Sequence, residues 1–245
     1  MRKHLALALL CLPRAWSLVL DPSFHEILLA GRIHREPNFV PHRLVESLRS
    51  DVAALESIGL FAPAGSGEHG SDESNGMRRA EYADPIDRDR DLGEWDAFVD
   101  LWERLEAMRL EISDALYPIK ILDEVEIHYV RYPIGGFFQR HVDEVIDPEE
   151  ETPASRRAVS FICYLNEPGW SPGDGGALLA HHSPGPMEEF LPESGSLLLF
   201  GSLQVEHEVL PTNRERTCLV GWFHTPSVRG GVQGKATPTQ PALLL

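Results

Sequence analysis

Apolar positions along this chain recur at two different intervals, and the change from one to the other divides it. Between Pro41 and Ile58, the residues Leu44, Leu48, Val52, Leu55 and Ile58 return every three or four positions, the spacing that lines up side chains on one face of a helix. Pro41 suits a first helical turn and Gly59 a stop. Glu94 to Leu116 keeps the same period through Trp95, Phe98, Val99, Trp102, Leu105, Met108 and Ile112, with Pro118 just beyond. The spacing predicts two amphipathic helices packed on one side of a sheet, their aromatic stripe serving as core. Residues 62–93 between them are rich in Gly, Ser and charge, too poor in large apolar groups to offset the entropy of ordering, and are expected to form a mobile loop.

Beyond Leu122 the period drops to two. Short β-rich segments separated by Gly and Pro predict strands over Val125–Tyr132, Phe137–Val142, Ala158–Leu165, Ala177–Ala180, Ser196–Phe200 and Thr217–Phe223. Two helices followed by many short strands give an α+β fold with an antiparallel double-sheet barrel. The expected organisation is a targeting segment over 1–20, helices and loop over 21–122, a β core over 123–226 and an unstructured tail over 227–245. The acidic connection from Glu144 to Arg157 is long enough for a lid, and is equally readable as a solvated loop.

The formal net charge of -16 excludes a protein that tracks nucleic-acid phosphates. Of three cysteines, Cys11 lies in the N-terminal stretch, and Cys163 and Cys218 sit in apolar strands, so neither a disulfide framework nor a cysteine zinc site is available. Arg2, Lys3 and His4 precede the apolar run Leu5–Leu12, with no acidic residue before Asp21. That pattern fits a secretory signal leading to the endoplasmic reticulum, or an organelle transit peptide, and the run is too short for a stable membrane span.

Candidate chemistry begins with His141-x-Asp143, an imidazole and a carboxylate that share one face of an extended strand. Alone the pair is no better than chance in a chain with 11 histidines. His207 supplies a third group, and two histidines with one carboxylate are the composition of a facial triad that leaves open positions on a ferrous ion. Zinc can also take these ligands. Nine residues after His207 stands Arg216, which alternates with Cys218, Val220 and Trp222 onto one strand face. A guanidinium turned into a barrel needs an anion, and a dicarboxylate co-substrate would provide it, whereas an exposed Arg216, or one paired with Glu206 or Glu215, is the commoner arrangement for a lone arginine and needs none. Arg214 shares its parity and competes for that role. His181 and His182 point to opposite sides of a strand, His128 lies on a separate one, and His224 is expected to follow Trp222 out of the barrel.

The order YPIGGFFQRHVD, RRAVSFICYLNE, Gly175-Gly176-Ala177-Leu178, FLPESGSLLLFGS, HEVLP and Arg216 with GWF resembles the iron(II) and 2-oxoglutarate-dependent dioxygenases of the prolyl 4-hydroxylase type. The resemblance spans residues 125–225, about half the chain. It departs where family members often carry Pro-Val and a glycine before the arginine, since here the run is Pro211 to Arg216 through Thr212, Asn213, Arg214 and Glu215. What the resemblance implies is a double-stranded β-helix (jelly-roll) core, Fe(2+) held by His141, Asp143 and His207, and 2-oxoglutarate held by Arg216. It further implies that Tyr164 bonds the distal carboxylate, Tyr132 lines the co-substrate pocket and Trp222 forms part of its wall. O2 and L-ascorbate follow as co-reactants. The expected reaction is hydroxylation of a carbon centre, foremost a peptidyl proline, with a peptide, protein or small molecule as substrate. A metal-binding jelly roll without catalysis, a cupin-type isomerase and a zinc hydrolase are the rival readings.

Overall fold

In the computed structural model, which describes residues 20–63, 76–146, 153–182 and 185–227, the chain runs α1 (Phe24–Leu29), β1 (His34–Glu36), α2 (His42–Ser57), β2 (Ala62–Pro63), β3 (Arg78–Arg79), β4 (Glu81–Ala83) and α3 (Trp95–Ala115). There follow β5 (Val125–Tyr132), β6 (Phe137–His141), β7 (Ser155–Tyr164), β8 (Leu178–His181), β9 (Met187–Phe190), β10 (Leu197–Gly201), β11 (Glu206–Val209) and β12 (Arg216–Pro226). The targeting-like segment, Cys11 and almost all of the tail lie outside the described residues. No helix among the described residues is long and apolar enough to cross a membrane.

The strands form two sheets, a larger one ordered β1-β10-β7-β12-β5-β4-β2 and a smaller one ordered β3-β6-β11-β8-β9, with every named pairing antiparallel. They face each other as a jelly roll, the α+β arrangement expected from the change of period. The outward residues of the larger sheet, including Ile127, Tyr129, Phe161, Cys163, Leu219 and Phe223, share one core with Leu48, Val52 and Leu55 of α2 and Phe98, Leu101 and Leu105 of α3. Its inward residues, Val130, Tyr132, Ile162, Tyr164 and Cys218, share a second core with Leu178, Ala180 and Val209 of the smaller sheet. The central stretches of β7 and β12 are therefore buried on both faces, which is why Ala158–Tyr164 and Cys218–Phe223 are largely apolar. Gly59 ends α2 as anticipated: at φ 75° it lets Leu60 N bond Leu55 O at 3.1 Å and its own N bond Glu56 O at 2.9 Å.

Residues 62–93 correct the expectation of a structureless loop. Residues 64–75 lie outside the described residues, but β3 and β4 add to the edges of β6 and β5, and β2 pairs with β4. Strands of two or three residues take their stability from the sheet they join, which composition does not record. The remainder is pinned by a charge: Asp51, buried on the apolar face of α2, accepts from Arg88 Nη1 and Nη2 at 2.5 and 2.9 Å, from Tyr129 Oη at 2.9 Å and from the Glu94 backbone N at 2.7 Å. The stretch leading into α3 is thereby fastened to α2 and β5. Two further elements, α1 and β1, precede the expected helices.

Neither partner of the Asp51–Arg88 pair has exposed side-chain surface, so Asp51→Ala strands a buried guanidinium and should cost about 3–5 kcal/mol in urea unfolding. Tyr129→Phe, which removes one hydrogen bond, should cost about 1 kcal/mol in the same assay.

Candidate active site

His141 is the last residue of β6 and pairs in register with His207 of β11, their ring centroids 4.3 Å apart. Asp143 follows where the chain has left the ladder. Its Oδ1 lies 3.4 Å from His141 Nε2 and 3.8 Å from His207 Nε2, and one ligand atom from each residue falls within 4.8 Å of the others. Both imidazoles are oriented from behind: His141 Nδ1 is 2.7 Å from Gln139 O and His207 Nδ1 is 3.0 Å from Val205 O. A carbonyl can only accept, so each ring carries its proton on Nδ1 and turns the Nε2 lone pair to the common point. Phe138 stacks on His141 with centroids 3.7 Å apart, and Phe200 meets His207 edge-on at 4.8 Å.

The protonation states suit a cation. Burial holds the pKa of His207 below that of an ordinary histidine, so the ring is neutral at neutral pH. Burial raises the pKa of Asp143, but His207, His141 and the Ser160 hydroxyl outweigh that effect and hold it well below the usual carboxylate range. Two imidazole nitrogens and one carboxylate oxygen converging from separate segments could hold a divalent metal with positions to spare.

Deeper in the barrel, Arg216 opens β12 opposite Tyr132 and has no exposed surface. Its Nη2 lies 3.4 Å from Tyr164 Oη and its Nη1 3.5 Å from Cys218 Sγ, while Nε has no partner. The guanidinium carbon lies 4.6 Å from the Tyr132 ring centroid and 5.0 Å from that of Tyr164. No carboxylate among the described residues forms an ion pair with it. A buried cation whose neighbours are two phenols and a thiol could receive an anion. Gly176, at φ 69°, makes room for it, because a Cβ there would meet Thr212 Oγ1 at 2.9 Å and Arg216 Cδ at 3.2 Å.

The competition between the two arginines is decided by their surroundings. Arg214 is about one-third exposed, bonded to Glu167 at 2.6 Å and stacked over Trp170. Trp222 lies on the same face as Arg216 but six residues away, roughly 20 Å along an extended strand, so it stands toward Asp143 rather than beside the guanidinium. His181 and His182 pair with Glu208 and Glu188. His224 corrects its expected exit from the barrel: it is 5% exposed, close to Glu124 and Glu126, because β12 runs on to Pro226.

The scan of family models matches residues 127–224 to the 2OG-Fe(II) oxygenase superfamily. Among solved structures, a Pseudomonas putida prolyl-4-hydroxylase is 30% identical, covering 82% of this chain and 96% of that one with a TM-score of 0.65. The chain belongs to the 2OG-Fe(II) oxygenases of the prolyl 4-hydroxylase type. A Trichoplax adhaerens prolyl hydroxylase in complex with a hypoxia inducible factor peptide fragment shares the fold at 22% identity, covering 82% and 88% of the two chains with a TM-score of 0.66. A viral collagen prolyl hydroxylase from Paramecium Bursaria Chlorella virus-1, in its 2OG complex, does so at 16% identity, 78% and 95% coverage and a TM-score of 0.53. No curated protein matches the sequence.

Membership in this family implies Fe(2+), 2-oxoglutarate and O2 as the reacting set, and the residues present fit it. Burial pushes the Tyr164 phenol up to about 12, so it stays protonated and can donate to an anion held by Arg216. Tyr82, which sequence reading passed over, joins this wall. On β4 opposite Val130, it packs against the inner core, and burial raises its pKa. Its one signal in the sequence is that it is the single Phe, Tyr or Trp between residues 62 and 93.

Arg216→Ala should leave metal binding in place and weaken 2-oxoglutarate by at least about 100-fold in calorimetry, since it deletes the charge-assisted pair. Arg214→Ala should leave 2-oxoglutarate affinity within about twofold, a surface ion pair being worth little.

Proposed function

We propose that the protein hydroxylates a peptidyl prolyl carbon, with 2-oxoglutarate as co-substrate, succinate and CO2 as co-products, and ascorbate keeping the iron ferrous. The observation that carries this reading is Arg216, a fully buried cation with no ion-pair partner among the described residues, in the same barrel as the His141, Asp143 and His207 cluster. A structural metal site has no use for such a group, whereas a dicarboxylate that reaches from metal to arginine needs one.

In this reading His141, Asp143 and His207 hold the iron, and Arg216 with Tyr164 takes the distal carboxylate. When bound, iron and 2-oxoglutarate let O2 be divided between the co-substrate, which loses CO2 to become succinate, and a substrate C–H bond, which becomes C–OH. The chain contributes placement. Its Nδ1-protonated imidazoles present fixed lone pairs, Tyr132 supports the guanidinium, and the inner core of Val130, Ile162 and Cys218 keeps bulk water from the acid. A peptide as substrate is supported by the relation to the Pseudomonas putida enzyme across nearly its whole length and by the peptide seated in the Trichoplax adhaerens structure.

Incubation with iron(II), 2-oxoglutarate, ascorbate and a library of proline-containing peptides should produce succinate, and mass spectrometry should place one added oxygen on a proline. His207→Ala should abolish both. Succinate formation that no peptide stimulates, or an oxygen gained on another residue, would contradict the prolyl assignment.

A further inference from the structure

Asp143 poses a problem of placement. His141 ends β6, so the sheet ladder that fixes the two histidines does not extend to the carboxylate. A ligand on an unladdered segment needs other bonds to hold it: the Ser160 hydroxyl reaches the carboxylate itself, and three bonds converge on the backbone beside it. Arg157 Nη1 donates to the Asp143 carbonyl at 3.1 Å, the Arg157 backbone N donates to Glu144 Oε2 at 2.9 Å, and Glu144 N donates to Ser202 O at 3.2 Å. Two of the three come from Arg157.

Arg157 is itself held on two sides. Its Nε and Nη2 donate to Glu126 Oε2 and Oε1 at 3.1 and 2.6 Å, a bidentate pairing. Its guanidinium carbon lies 3.8 Å from the Trp222 ring centroid, close enough for cation–π attraction. Glu126 is further flanked by His128 Nε2 at 3.5 Å and His224 Nε2 at 3.8 Å. An ordinary surface ion pair is free to swing, but this guanidinium is fixed by a fork, an aromatic face and a carbonyl at once. Its remaining freedom is small, and the group it bonds to is the backbone of the ligand that the sheet leaves loose.

We propose that Glu126 and Arg157 form a brace that positions Asp143 as a metal ligand, Glu126 acting through Arg157 and Trp222 serving as the surface against which Arg157 is set. The proposal rests on reading His141, Asp143 and His207 as the iron site. Neither brace residue touches the reacting atoms. Both are positioning residues, on strands β5 and β7 that flank in sequence the carboxylate they serve. The brace also gives Trp222 a task at the place where it stands, six residues from the co-substrate arginine.

The test is cobalt(II) binding to the metal-free protein, followed by calorimetry and by the visible spectrum of the bound ion, with folding checked by circular dichroism. Outer-sphere partners of metal ligands are worth about 10- to 100-fold in affinity, so Glu126→Ala and Arg157→Ala should each weaken cobalt by that amount and alter its spectrum. Because one acts through the other, the double variant should bind no more weakly than Arg157→Ala. Glu126→Gln, which keeps one acceptor, should fall between. Should Arg157→Ala fail to fold, Arg157→Lys decides by the same criterion, since an ammonium cannot span carboxylate and carbonyl together. Cobalt affinity and spectrum unchanged in these variants, or losses that add in the double variant, would overturn the brace while His207→Ala still abolishes binding. If His207→Ala also bound cobalt normally, the site reading itself would fall, and the brace with it.

Discussion

Arg216 carries a full charge on the inner face of β12, with no exposed surface and two phenols and a thiol for company. Burying a charge without a partner is among the costliest arrangements a fold can hold, so the neighbouring structure has to make it tolerable. Tyr132 and Tyr164 lend ring faces and a hydroxyl, and Gly176 clears the approach. What they do not supply is negative charge. A site of this kind suits an acid that arrives from outside, and in the proposed reading the other end of that acid reaches the metal cluster.

Holding that cation in place requires a wall that does not yield, and the larger sheet provides it by being packed on both faces. Helices α2 and α3 press on one side and the smaller sheet on the other, so β5, β7 and β12 are fixed in register and every second residue is committed to the interior. The buried Asp51–Arg88 pair extends the same rigidity to the segment that leads into α3. Rigid scaffolding of this kind suits chemistry that depends on placing atoms rather than on a side chain that reacts.

Much of this was legible in the chain. The 3.6-residue period marked α2 and α3 to within a few positions, and the two-residue period marked the strands that carry Tyr132, His141, Tyr164 and Arg216, because amphipathic faces leave a periodic record. Spacing alone could not separate Arg214 from Arg216, which share strand parity. Their difference is that Glu167, far away in sequence, neutralises one, and no carboxylate among the described residues pairs with the other. Strands β3 and β4 escaped notice because segments of two or three residues become strands only beside an existing edge. Asp51, in the middle of an apolar stripe, gave no sign of Arg88. Likewise Glu126 and Arg157 lie on separate strands, and their convergence on Asp143 is a property of the barrel's mouth rather than of any local pattern.

In the proposed reading the metal cluster and Arg216 grip one molecule between them. Anaerobic titration of the protein with iron(II) and then 2-oxoglutarate tests it most directly, through the charge-transfer absorption that arises when a keto acid chelates ferrous iron. That absorption should appear at one equivalent of each, with 2-oxoglutarate bound much more weakly when iron is omitted. Iron binding without any new absorption on adding 2-oxoglutarate, or equal affinity for the acid with and without metal, would contradict it.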